Sequence, residues 1–178
     1  MKYYDLHCPN QLEEKAAELG WTKTIQPRLA RLYKHSDLPP RTGELVIAES
    51  EDPALLVHAL KNTNVTAVYP FLARDLLKND ELFQTSADFA KPFEIRLYDL
   101  LNSSGHSRAQ VMARTKSFLA KSIKRKAPFI ITSAAKTTFD LKTPKETITL
   151  ATLFGLTEEQ AEFSISKQCE KTLATFEK

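Results

Sequence analysis

The chain has 178 residues, 42% apolar and 26% charged, and its 25 basic and 22 acidic side chains leave a net charge of +3. This excludes a disordered or low-complexity polymer and suffices for one domain, residues 1–178, with a substantial core. Two distant cysteines, Cys8 and Cys169, offer neither a disulfide framework nor a zinc-type spacing, and no apolar run approaches the ~18 residues of a membrane span, so a reduced, cytoplasmic protein without membrane contact is expected.

Residues 2–8 alternate as a short strand, with Tyr3, Asp5 and His7 on one face and Tyr4, Leu6 and Cys8 on the other. Pro9 ends it. Asn10, with Glu13 at the capping-box position, starts a helix whose apolar face is Leu12, Ala16 and Leu19 and which Gly20 closes. Residues 22–26 are a second strand, and 27–43 have the composition of an irregular, turn-rich loop. Residues 45–49 make a third strand. Asp52 and Pro53 are an N-cap and first helical position for a helix over 54–61, and 65–69 are a fourth strand. Two short helical runs, 71–77 and 80–90, precede a fifth strand at 93–97. A loop over 102–105 leads to Ser107, the expected cap of a long basic helix. Residues 128–132 are a sixth strand, apolar throughout as if covered on both faces. Helices follow over 144–154, 157–163 and 168–176.

Strands alternating with helices predict an α/β fold with a parallel sheet. Six strands and a helix-rich C-terminus favour a (β/α)-barrel-like architecture, incomplete or distorted, over a doubly wound sheet. No glycine-rich phosphate loop follows any strand, and the chain has only four glycines.

Between Arg108 and Lys145 ten basic side chains accompany one acid, Asp140, so this stretch carries +9 and the remainder −6. Such a field suits a polyanion; the plainer alternative is the solvated face of an outer helix. Strand carboxyl ends form the functional rim of either architecture, which puts Arg108, at the start of its helix, and Lys136, past the sixth strand, at one edge, with Lys142 joining them. Along the helix, Val111, Met112, Phe118, Leu119 and Ile123 fall on one inward face, with Arg114, Lys121 and Arg125 in a row along its border. The nucleic-acid-binding candidates are therefore Arg108, Arg114, Lys121, Lys124, Arg125, Lys136 and Lys142.

Asp5 and His7, ending the first strand, occupy positions where metal-dependent phosphoesterases of the polymerase-and-histidinol-phosphatase type place ligands. The only histidines are His7, His35, His58 and His106, too few and too scattered for a multinuclear site, so no metal is expected. The alternative is a paired polar cluster of Asp5, His7, Glu94 and Arg96 near a barrel interior. No nucleophile–base constellation and no paired catalytic carboxylates can be argued from spacing, so no catalytic residue is assigned.

F-E-I-R-L-Y-D-L-L from Phe93, S-G-H-S-R ending at Arg108, P-F-I-I-T-S-A-A-K from Pro128, F-D-L-K-T-P from Phe139, L-A-T-L-F-G-L-T-E-E-Q-A from Leu150, S-I-S from Ser164 and Y-D-L-H-C-P from Tyr4 stand in an order and spacing that carry specificity together. The sequence resembles the ribonuclease P component 3 family, the archaeal counterparts of the eukaryotic 30-kilodalton-type subunit. The resemblance implies a (β/α)-barrel-like, RNA-binding subunit of the ribonucleoprotein that removes the 5′ leader of precursor tRNA. It implies that the RNA, with Mg2+, carries the chemistry, and that the protein holds no cofactor. The implied partners are ribonuclease P RNA, the component 2 protein and, through the complex, precursor tRNA. Where the family usually has Ser-Gly-Ala after the sixth strand, this chain has Ser133-Ala134-Ala135, which speaks against a glycine-only backbone there. Lys142 stands in place of the family's Arg and keeps the charge without the bidentate fork. The alternative function is that of a degenerate metal-dependent phosphoesterase acting on a small phosphorylated substrate.

Overall fold

A computed structural model describes residues 1–40, 43–73 and 75–176, the last without its side chain. The chain forms β1 (Tyr4–Asp5), α1 (Glu13–Glu18), β2 (Lys23–Thr24), β3 (Arg28–Arg31), β4 (Val46–Glu49), α2 (Pro53–Lys61), β5 (Ala67–Tyr69) and α3 (Asp80–Asp88). It continues with β6 (Phe93–Arg96), α4 (Leu97–Leu101), α5 (Gly105–Arg125), β7 (Phe129–Thr132), α6 (Pro144–Thr152), α7 (Glu158–Ile165) and α8 (Lys167–Phe176). The fold is α/β, and the β1–β2, β3–β4, β4–β5 and β5–β6 pairings are all parallel. Five strands keep chain order, β3-β4-β5-β6-β7, the order of a (β/α) barrel and not of a doubly wound sheet, whose order reverses; β1 and β2 pair in a sheet of their own, leaving the barrel pattern incomplete among the described residues.

Two compact units divide the chain. The first comprises Met1–Gln26, Ile95–Ala120 and Ile130–Glu170; the second comprises Pro27–Glu94, Lys121–Phe129 and Lys171–Lys178. In the first, Leu6, Ile95, Leu97, Phe118 and Leu119 are fully buried; in the second, Ile47, Leu56, Leu60, Leu82, Phe83 and Phe93 are. Each such side chain contributes about 1.5–3 kcal/mol by leaving water. Phe83 and Phe93 meet edge to face with ring centres 5.5 Å apart.

Several local expectations change. The stretch 27–43 is not all loop: Arg28–Arg31 pairs with Val46–Glu49, while Arg41 and Thr42 lie outside the described residues. Three of these four strand residues are exposed, so the backbone ladder makes this strand and no apolar alternation marks it. In place of a helix over 71–77 there is a turn closed by Ala73 N donating to Pro70 O and a 3-10 turn at Leu76–Lys78, with Arg74 outside the described residues. Asn10 does not cap a helix; it opens a 3-10 turn that precedes α1. Leu97, read as the end of the fifth strand, opens a short helix, Leu97–Leu101, that buries Leu97 and Leu100. The long helix starts at Gly105, before Ser107, with Arg108 N donating to Ser104 O. Its 21 residues span about 31 Å. Its buried stripe is Thr115, Phe118, Leu119 and Ser122; Ile123, expected inside, is 40% exposed. The two small hydroxyl residues take the stripe's centre, one helical step away from Ile123.

At Asp52 the capping chemistry read from the sequence holds. Asp52 Oδ1 accepts from Ala54 N at 2.8 Å ahead of Pro53. Two capping boxes not read from the sequence also form, Thr143 with Glu146 at the start of α6 and Thr157 with Gln160 at the start of α7, which puts Thr157 just outside its helix.

Candidate functional site

In the first unit, the carboxyl end of β1 and the segment leaving β7 are tied by one carboxylate. Asp5 is fully buried, and its Oδ1 accepts from the backbone N–H of His7 and of Ser133, each at 3.1 Å. Ser133 Oγ donates to His7 O at 3.3 Å and accepts from Ala135 N at 3.1 Å. Burial pushes the Asp5 carboxyl above its ordinary range, against the hydrogen bonds from Ser133 and His7 that pull it back. Asp5 Oδ2 has no hydrogen-bond partner. His7 is half-buried; Glu94, on β6, is fully buried, and Arg96 ends that strand half-buried.

Ala134 takes φ +46°, the left-handed region that favours glycine. The replacement of glycine by alanine therefore does not mark an ordinary backbone here. The strained residue is held from both sides, by Tyr98 N donating to Ser133 O at 3.1 Å and by the Ser133 hydroxyl beneath Ala135.

Beyond it the chain makes a fixed cationic turn. Asp140 Oδ2 accepts from Lys136 N, Thr137 N and Thr137 Oγ1 at 2.9–3.1 Å, and Asn102 Nδ2 donates to Oδ1 at 3.2 Å. Burial raises the Asp140 pKa, but these bonds outweigh it and hold the carboxyl below its usual range, so the side chain is a charged hub. Lys136 Nζ lies 4.3 Å from the Tyr98 ring centre. Lys142 Nζ donates to Phe139 O at 2.7 Å and Leu141 O at 3.2 Å, and its own carbonyl accepts from Trp21 Nε1 at 2.9 Å. Arg108 Nε donates to Ser103 O at 2.8 Å. These three cations are thus positioned by carbonyls or a ring, and among the described residues no carboxylate lies within ion-pair distance of them.

The charges at the far end of α5, in the second unit, are arranged otherwise. Lys121 Nζ and Arg125 Nη2 each lie 2.5 Å from an Asp80 oxygen. Lys121 also donates to Leu77 O at 2.6 Å and lies 4.9 Å from the Phe83 ring centre, its side chain 21% exposed. The hydrogen bond from Lys121, with the charges of Arg125 and Lys124, keeps Asp80 below the ordinary carboxylate range. Arg114 and Lys124 are exposed. The row expected along the helix therefore divides, because an acid some forty residues upstream in sequence takes two of its members. Sequence reading missed Tyr98, Asp140 and Phe139 as parts of the turn. The spacing of Asp140 behind Thr137, that of a cap, was the available signal.

Among the described residues, no three or more His, Cys, Asp or Glu side chains group as metal ligands, and no helix is long and apolar enough to cross a membrane.

Comparison with known proteins gives a consistent result. A family model for RNase P subunit p30 matches residues 44–178. "Ribonuclease P protein component 3" of Methanosarcina acetivorans is 30% identical over 132 residues, 74% of this chain and 55% of the relative. Its counterpart in Methanococcoides burtonii is 29% identical over 110 residues, 61% of this chain and 46% of the relative. The chain thus spans about half the length of the curated relatives it matches. A chain in a cryo-EM structure of archaeal ribonuclease P with mature tRNA superposes with a TM-score of 0.69 at 15% identity, covering 97% of this chain and 80% of that one, a likeness of fold. With the barrel-type strand order, the family match over most of the chain leads to one assignment: the chain belongs to the RNase P subunit p30 family.

Proposed function

We propose that this chain serves as a protein subunit of ribonuclease P, binding the catalytic RNA of the ribonucleoprotein that removes the 5′ leader of precursor tRNA. It supports the RNA together with a component 2 protein and carries no chemistry of its own; Mg2+ enters through the RNA. The observation that carries this reading is the pair Arg108 and Lys136, held in place by a carbonyl and a ring so that their charge is left for a polyanion, with Lys142 held by two carbonyls. Phosphate contacts position a protein on RNA, and A-form helices are recognised largely by phosphates and shape, so fixed cations suffice without base-reading residues.

The test is binding to ribonuclease P RNA over a salt series, alone and with component 2, alongside a nuclease assay of the protein by itself. With four to six phosphates neutralised, log affinity falls against log salt with a slope of about −3 to −5. A slope near zero, or magnesium-dependent cleavage of precursor tRNA by the protein alone, overturns the proposal.

A further inference from the structure

The turn between β7 and α6 displays something the phosphate-binding reading does not use. Phe139, in the middle of the 3-10 turn Thr138–Asp140, is 88% exposed, the most exposed of the large apolar side chains described. Its backbone is fixed on both sides. Asp140 gathers the N–H groups of Lys136 and Thr137, Asn102 anchors Asp140, Lys142 Nζ donates to the Phe139 carbonyl, and Trp21 holds the carbonyl of Lys142. Hydrogen bonds that fix the backbone on both sides of an exposed apolar ring preorganise the turn, so the cost of ordering that backbone is met before any partner arrives. Lys136 precedes it by three residues and Lys142 follows by three, and Asp140, the turn's one carboxylate, is engaged by four donors.

We infer that Phe139 is a stacking platform for an unpaired RNA base, with Lys136 and Lys142 taking the phosphates on either side of that nucleotide. The inference rests on the RNA-binding reading and deepens it: besides duplex backbone, the protein takes an unstacked nucleotide such as a loop, bulge or end presents. An aromatic face between cations is the equipment single-stranded nucleic acid needs, since every base has a π-face and stacking tolerates any sequence. An apolar protein partner would gain from the ring but not from two ammonium groups beside it, whose desolvation it could not offset.

The experiment compares a 12-nucleotide single-stranded RNA with a 12-base-pair blunt RNA duplex, using the full chain and its Phe139→Ala, Phe139→Leu and Phe139→Trp variants. Such an exposed side chain can be replaced without disturbing the core, which a thermal melt verifies. Phe139→Ala is expected to weaken single-strand binding about ten- to hundredfold and leave duplex binding within about twofold. Phe139→Leu should bind as poorly as the alanine variant, and Phe139→Trp as well as the parent. The introduced indole should also lose emission on titration with single strand, against a background of Trp21, which is only 5% exposed. Unchanged single-strand binding by Phe139→Ala, or full rescue by leucine, overturns the stacking inference while leaving duplex recognition intact. Failure of the parent to bind either RNA overturns both readings.

Discussion

The C-terminal third of α5 and the turn after β7 both carry basic side chains, and they dispose of that charge in opposite ways. On α5, Lys121 and Arg125 converge on Asp80, and Lys121 lies back over Leu77 O and the Phe83 ring. In the turn, the one acid is consumed by backbone and hydroxyl donors, and Lys136 and Lys142 are steered by a ring and by carbonyls that leave their charge in place. A count of charges along a sequence is therefore not a count of charges available to a ligand. What decides is whether a carboxylate from elsewhere in the fold reaches each cation.

The sharpest test of this contrast removes the uncompensated charges. Arg108→Ala combined with Lys136→Ala should lower affinity for ribonuclease P RNA at least about a hundredfold, since charge-assisted contacts are worth ~1.5–3 kcal/mol each. The melting temperature should stay within the scatter expected for exposed sites. Unchanged affinity would place RNA binding elsewhere.

Next in size is the anchor of the turn. Asp5→Ala strands the N–H groups of His7 and Ser133 in the interior, and denaturant unfolding should show a loss of about 2–3 kcal/mol. Asp5→Asn should behave differently. With its folded-state pKa raised, Asp5 contributes most below its unfolded value of about 4, and that contribution declines as pH rises through the folded value, because the native state must then bury a charge. Asparagine keeps an acceptor and has no proton to lose, so this variant should gain on the parent as pH rises. A parent–variant difference constant between pH 4 and pH 8 would mean that Asp5 titrates as if exposed.

Lys121→Ala examines the other side of the contrast. It should lower the melting temperature by roughly 2–4 °C, the shift for about 1 kcal/mol in a chain of this size, and change RNA affinity less than twofold. The exposed part of the Asp80 pairing adds little to that figure. A large loss of affinity with no thermal shift would return Lys121 to the binding surface.

The smallest effect is a gain. Ala134→Gly relieves an alanine held at φ +46° and should raise stability by about 0.5–1 kcal/mol, the strain removed exceeding the extra freedom of glycine in the unfolded chain. A loss in the same unfolding experiment would show that the position needs its methyl group.

What was legible in the sequence was whatever is written locally. Asp52-Pro53 was read as a cap and first helical position, and α2 begins where those residues say; Asn10 with Glu13, the same kind of local signal, instead opens a 3-10 turn. The apolar run ending at Thr132 announced a covered strand. The strand Arg28–Arg31 was not legible because its identity lies in the partner strand, and Leu29, its most apolar residue, is 46% exposed. The pairing of Lys121 and Arg125 with Asp80 was hidden for the same reason, being a relation between residues more than forty positions apart. The left-handed backbone at Ala134 was masked by its own residue type, since alanine ordinarily reports the opposite.

The bonds that complete the first unit also set an order of events in time. Asp5 waits for Ser133, Trp21 for Lys142, Tyr3 for Glu162 and Tyr4 for Glu170, separations of 121–166 residues. At roughly 5–20 residues per second, the first strand leaves the ribosome about 6–30 s before the residues that cover it have been made. Throughout that interval Asp5 is an ordinary hydrated carboxylate and the strand has no lid. Pro27–Glu94, which makes up most of the second unit, is by contrast synthesised without interruption and can begin to fold as it emerges. Translation thus delivers the body of one unit early and leaves the turn after β7, whose contact with Asp5 waits for Ser133, to take shape later.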